Sequence, residues 1–229
     1  MDKNQKLNTS SKWKIIMGFV LLFLYFSYIH IPINSPLLDT LSFLLDILFV
    51  IVMIPDIVHE AKKIGRNKKS ILLIPLGLIL VLGLQGFLWD SVVREMICSL
   101  TGISLENDNT ANVTEMVRNA PVFMGFMACI YGPILEELLY RYTAFGVLYT
   151  KNRFLAYAVS ALIFSIQHVA EAGIWGGDLM QLINMPGYIM AGLAFAFVYD
   201  KSKNICIPIG AHIAANSVGL FMMILNGTL

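Results

Sequence analysis

Three clusters of ionisable or strongly polar residues interrupt long apolar stretches of this chain. The first is Glu136-Glu137-Leu138-Leu139-Tyr140-Arg141. Neighbouring side chains on a helix point ~100° apart, so these two carboxylates cannot face one site together. Glu137 and Arg141 stand at i,i+4 in the favourable order for an ion pair on one helix, which leaves Glu136 for chemistry. The alternative is that all three form a buried ion network that locks helices together. Gly132-Pro133 just upstream loosens the helix backbone locally. The second cluster is Phe164-Ser165-Ile166-Gln167-His168, with Phe164 at i−4 stacking over the face of His168. Glu171, one turn on, is a candidate to orient the imidazole; otherwise His168 is a hydrogen-bonded packing residue. The third is Gly210-Ala211-His212-Ile213-Ala214-Ala215-Asn216. His212 and Asn216 share a helix face, and Gly210/Ala214 and Ala211/Ala215 are small pairs that permit close helix approach. Interhelical hydrogen bonding is the competing role for this pair.

A carboxylate, two imidazoles and a carboxamide are the parts needed to activate water and stabilise an oxyanion. No serine or cysteine is spaced with a base as a covalent nucleophile, and no HExxH motif is present. Glu136, His168 and His212 could instead ligate a divalent metal, with Zn²⁺ as the candidate. Residues scattered over three helices do not decide between these two readings.

The elements that must position these groups follow from composition. Of the 229 residues, 57% are hydrophobic and 14% charged, against roughly a quarter charged in a soluble domain. A net charge of +1 argues against a nucleic-acid partner. Seven apolar stretches are long enough to span a bilayer: 15–33, 37–55, 71–89, 121–148, 154–170, 181–199 and 205–225. The expected fold is therefore all-α, a multi-pass membrane bundle of about seven transmembrane helices. Residues 1–229 are expected to form a single integral-membrane domain. The first stretch reads as an uncleaved span rather than a signal peptide. The cysteines, Cys98, Cys129 and Cys206, form no ligand-like spacing. With the N-terminus inside, segments 1–14, 56–70, 141–153 and 200–204 hold fourteen of the sixteen basic residues, which predicts a cytoplasmic N-terminus and an outer C-terminus. The largest outer segment, 90–120, should begin as a helical continuation of the third span. Glu106-Asn107-Asp108-Asn109 then reads as a loop.

Glu136-Glu137-x-x-x-Arg141, Phe164-x-x-x-His168 and His212-x-x-x-Asn216, in that order on successive apolar segments, resemble the CPBP family of intramembrane proteases. That family includes CAAX prenyl endopeptidases of the Rce type and bacteriocin-processing and immunity (Abi) proteins. Tyr142 departs from the glycine that commonly follows the arginine, which bears on substrate preference. The resemblance implies an endopeptidase with Glu136 as general base and His168 helping to activate the water. His212 and Asn216 would stabilise the oxyanion, while Glu137 and Arg141 support the geometry, in a catalytic core at about 121–225. With Asn216 a poor metal ligand and a good oxyanion donor, the resemblance is taken to imply a site with no cofactor, Zn²⁺ being the alternative. The implied partners are the lipid bilayer and a peptide precursor or membrane-protein substrate, in a bacterial plasma membrane. Two rival classes are a non-proteolytic scaffold that binds another membrane protein, and a transporter. Asp39 and Asp46, seven apart on one face of the second span, are the best feature for transport, but no inverted repeat accompanies them.

Overall fold

The structure, a computed structural model, describes residues 11–28, 35–103 and 107–229. The side chains of residues 25–28, Glu171 and Trp175 lie outside that description. So do Lys3, Lys6, the end of the first expected span and Glu106.

Eight helical runs make up the described residues, and no strand occurs among them. They are α1 (Lys12–Tyr28), α2 (Pro36–Ile64), α3 (Lys68–Thr101), α4 (Asp108–Asn119), α5 (Pro121–Tyr149), α6 (Arg153–Val169), α7 (Leu179–Ser202) and α8 (Cys206–Leu225). Five of them, α2, α3, α5, α7 and α8, are long and apolar enough to cross a membrane. Seven were expected; the other two stretches fall on α1, described over 17 residues, and on α6, whose 17 residues run on into a π-helical stretch at Ala170–Trp175. Local sequence sets the boundaries. Pro36 and Pro121 stand in the first turns of α2 and α5, where the missing N–H costs nothing. Asn152 caps α6 by accepting from the Leu155 amide at 3.1 Å. Gly102, at φ 69°, ends α3 in the left-handed region that suits glycine.

The bundle has an apolar core, but unlike a water-soluble protein it is also apolar outside. Phe154 is 82% exposed and Phe23 70%, whereas Glu137 and Arg141 are fully buried. Lipid solvates such an exterior at no cost, and the interior polar groups must then satisfy one another. This is a multi-pass membrane protein.

Two expectations change. The third span does continue as helix to Thr101. However, Asp108 and Asn109 belong to α4 rather than to a loop, because Asn107 caps that helix by accepting from the Thr110 amide at 3.2 Å. Arg141 is not an inner-segment charge, since it lies at 0% exposure inside the bundle. Thirteen basic residues rather than fourteen then fall in the inner segments.

Close packing brings the site helices together. A Cβ on Gly77 of α3 would lie 2.7 Å from Ala211 Cβ, so the small face of α8 meets α3 almost backbone to backbone. Asn204 and Ile205, between α7 and α8, are 5% and 1% exposed, and Asn204 Nδ2 donates to the Glu60 carbonyl of α2 at 2.7 Å. This turn is folded into the bundle. His212, the seventh residue of α8, and His168, the sixteenth of α6, both come within about 4 Å of Glu136.

Gly192 of α7 tests this packing. A Cβ there would come 3.0 Å from the Ala161 Cα, so Gly192→Val is expected to cost about 1–3 kcal/mol through overpacking. Gly83→Ala, with nothing within 4 Å of the added carbon, should be neutral or stabilising. Thermal unfolding of the detergent-solubilised protein distinguishes the two outcomes.

Candidate active site

Glu136 and Glu137 diverge on α5 as adjacent helical residues must. The helix widens to π geometry at Met127–Tyr131, just before Gly132-Pro133, and again at Glu137–Phe145. Such widened turns accompany functional sites because they re-aim side chains within a continuous helix.

Glu137 turns into the protein. Its Oε1 lies 3.1 Å from Arg141 Nη1, both side chains being fully buried. Arg141 Nη2 donates to the Gly192 carbonyl at 3.2 Å. The guanidinium is boxed by aromatic rings, its carbon 4.5 Å from the Phe164 ring centre and 5.3 Å from that of Phe195. The ring faces offer negative charge to a desolvated cation.

His212 links the two carboxylates. Its Nδ1 lies 2.9 Å from Glu137 Oε1, a bond in which the nitrogen must donate. Its Nε2 then faces Glu136, 3.9 Å from Oε2. The Phe195 ring stacks on the imidazole, centroids 4.3 Å apart and planes inclined by 22°. His168 approaches from the other side. Its Nδ1 lies 2.8 Å from the Phe164 carbonyl, which can only accept, so Nδ1 carries the proton and Nε2 presents a lone pair. That Nε2 is 4.0 Å from the same Glu136 oxygen. Tyr188 stacks on His168 with centroids 4.5 Å apart. The Phe164 carbonyl thus does what sequence reading offered to Glu171, whose side chain lies outside the described residues.

Asn216 Nδ2 donates to the Ala128 carbonyl at 2.9 Å, tying α8 to α5. Glu136, His168, His212 and Asn216 all line one cavity of about 460 Å³. Its far walls are apolar and rich in methionine, including Met116, Met124 and Met223. All six sequence-selected residues therefore fall in or directly behind a single site.

Sequence reading missed the contribution of α7. Tyr188, Gly192 and Phe195 supply a stacking ring, the Arg141 acceptor and a second stacking ring. Their i, i+4, i+7 spacing was visible, but in an apolar span it is indistinguishable from ordinary core. Of the two aspartates on α2, Asp46 is buried and Asp39 is exposed, so they do not line one pathway.

Glu136, His168 and His212 are the donor types of a His₂Glu zinc site. Donors around a tetrahedral zinc with bonds of ~2.1 Å sit ~3.4 Å apart, closer than the 3.9 and 4.0 Å separations here. Among the described residues, no group of three His, Cys, Asp or Glu is placed to hold a metal ion. The spacing suits a bridging water better, because two polar atoms joined through one water stand roughly 4–4.5 Å apart.

Residues 118–218 match the family described as type II CAAX prenyl endopeptidase, Rce1-like. The chain is also 30% identical over 190 residues to membrane peptidase YdiL of Bacillus subtilis, covering 81% of this chain and 71% of that protein. The chain belongs to the Rce1-like CAAX protease family. It is 28% identical over 146 residues to the membrane-embedded CAAX protease MroQ of Staphylococcus aureus, covering 61% of this chain and 54% of MroQ. It is 23% identical over 195 residues to UPF0177 protein YvdC of Lactococcus lactis, covering 85% and 69% of the two chains. No solved structure matches the chain. Membership of the Rce1-like family implies peptidase activity within the membrane.

The two carboxylates should respond differently to substitution. Arg141→Met or Glu137→Gln removes one partner of a fully buried pair, which costs about 3–5 kcal/mol. Both variants are expected to unfold well below the wild-type temperature and to be recovered in reduced yield. Glu136→Gln, at a half-buried cavity wall, should unfold at the wild-type temperature.

Proposed function

We propose that the protein is an intramembrane endopeptidase that hydrolyses a peptide bond with water activated by Glu136. The observation that carries this reading is the convergence of His168 Nε2 and His212 Nε2 on one Glu136 oxygen, at 4.0 and 3.9 Å, on the wall of a cavity. A water in that space can donate one hydrogen to Glu136 and the other to the lone pair of His168. As its oxygen attacks the carbonyl carbon, Glu136 accepts the proton, and the C=O electron pair moves onto oxygen. Collapse of the tetrahedral intermediate breaks the C–N bond, and the proton on Glu136 passes to the leaving nitrogen. Serine or cysteine has no part in this sequence.

Two groups serve the oxyanion. One Asn216 N–H is committed to Ala128, which fixes the amide and leaves its second N–H to donate. With both glutamates and Arg141 ionised, the cluster carries one net negative charge. A proton on His212 neutralises it and turns Nε2 into a second donor, while Nδ1 remains bonded to Glu137. Glu137 and Arg141 act by holding His212 in place.

The substrate in this reading is a peptide precursor or a membrane protein of a bacterial plasma membrane, with the N-terminus of the enzyme cytoplasmic and its C-terminus outside. Its apolar residues would lie along the methionine-rich walls. The reaction is metal-free.

Glu136→Gln should lower peptide cleavage by about 10²–10⁴-fold and Asn216→Ala by about 10²–10³-fold, both with normal membrane insertion. Cleavage that survives Glu136→Gln overturns the hydrolytic reading. A cellular phenotype that survives both substitutions assigns the physiological role to binding instead. Exhaustive chelation of the wild-type protein should leave cleavage intact; a loss restored by Zn²⁺ would overturn the metal-free mechanism.

A further inference from the structure

Glu136 also borders a second, smaller cavity. This chamber of about 170 Å³ lies between α2, α5 and α6, on the side of Glu136 that faces α2. Its wall carries Asp46, Tyr131, Gln167 and Glu136 itself, with Phe43 and Leu139 among its apolar members. Asp46 is only 8% exposed. The Tyr131 hydroxyl and Gln167 Oε1 are buried atoms without a hydrogen-bond partner among the described residues.

Two buried polar atoms and the Asp46 carboxyl group around one small space are costly in a membrane protein unless something in that space bonds to them. Water is the group that fits. It needs two to four polar partners and about 30 Å³ of volume; the chamber offers the Asp46 carboxyl, the Tyr131 hydroxyl and Gln167 Oε1, with several times that volume. Hydrolysis also consumes one water for every bond cut. A peptide lying in the large, mostly apolar cavity excludes water from that side, so a fresh molecule must reach Glu136 by another route.

We propose that the chamber behind Glu136 stores and delivers the hydrolytic water, and that Asp46 is the positioning residue that keeps it hydrated. The proposal rests on the hydrolytic reading above and adds a role for α2, which lies outside the matched stretch of the family. Asp46 touches neither substrate nor the reacting atoms. It acts by bonding to waters that pass along Tyr131 and Gln167 to Glu136. The aspartate that best favoured a transport pathway thus becomes part of a water supply.

The test uses the full chain reconstituted in lipid vesicles, with Asp46→Leu, Asp46→Asn and Gln167→Leu. Two quantities are read: kcat and KM for peptide cleavage, and oxidation of Tyr131 by hydroxyl radicals generated from adjacent bound water on brief X-ray exposure. Asp46→Leu should lower kcat roughly ten- to a hundredfold, as expected of a mispositioned reactant, with KM unchanged and Tyr131 labelling lost. Asp46→Asn keeps the hydrogen bonds, so it should retain most of both kcat and labelling. If Asp46→Leu does not insert, Gln167→Leu must show the same fall in kcat and labelling. Absence of Tyr131 labelling in the wild type, an unchanged kcat in the leucine variants, or equal damage from Asp46→Asn would each overturn the proposal. Failure of the hydrolytic reading is seen separately, as cleavage by Glu136→Gln, and the labelling still reports on the chamber in that case.

Discussion

The site depends on the ion pair between Arg141 and Glu137. In a bilayer interior a lone guanidinium or carboxylate is untenable, so the two are fixed on each other at 3.1 Å, one helical turn apart. That pairing has three structural consequences. It spends Glu137, which leaves its neighbour Glu136 to face the cavity. It gives His212 an anchored carboxylate on which to lock its Nδ1. It also requires an acceptor and ring faces around the guanidinium, which the Gly192 carbonyl, Phe164 and Phe195 provide. The arginine thereby joins α5, α6 and α7 around one charge.

Close helix contact is the second constraint, and it is met by small residues. Arg141 reaches the Gly192 carbonyl where α6 and α7 pack so tightly that no side chain fits at that position. His212 reaches Glu136 because Gly77 lets Ala211 approach α3 and because the buried Asn204 turn is folded into the bundle. The geometry of the site and lipid-phase folding thus draw on the same contacts. The polar residues that line the cavity sit on three helices, but their positions are set by glycine and alanine on those helices and on two others.

Much of this was legible in the sequence, for a physical reason. Polar residues are expensive in apolar segments, so Glu136, Glu137, Arg141, His168, His212 and Asn216 stood out against their surroundings. Helical periodicity then separated the paired carboxylate from the free one. What could not be read were features without contrast. Tyr188 and Phe195 are aromatic residues in an apolar helix and look like packing. The Phe164 carbonyl that orients His168 is backbone, which every residue possesses. The helical state of Asp108 and Asn109 was hidden because asparagine and aspartate serve both loops and helix N-termini, and only the Asn107 cap decides between them. Asp46 was noticed for its charge but paired with Asp39 by spacing alone, whereas three-dimensional packing buried one and exposed the other.

The most direct test of this account is a pair of double-mutant cycles read by thermal or denaturant unfolding in detergent. One cycle combines Arg141→Met with Glu137→Gln, the other Arg141→Met with Glu136→Gln. If Arg141 is committed to Glu137, the first cycle gives a coupling of about 2–3 kcal/mol, the double variant being more stable than the sum of its parts predicts. The second cycle gives a coupling within roughly 0.5 kcal/mol of zero. Equal coupling to both glutamates, or a larger coupling to Glu136, would contradict the account, because the carboxylate assigned to water activation would then be a structural counter-ion.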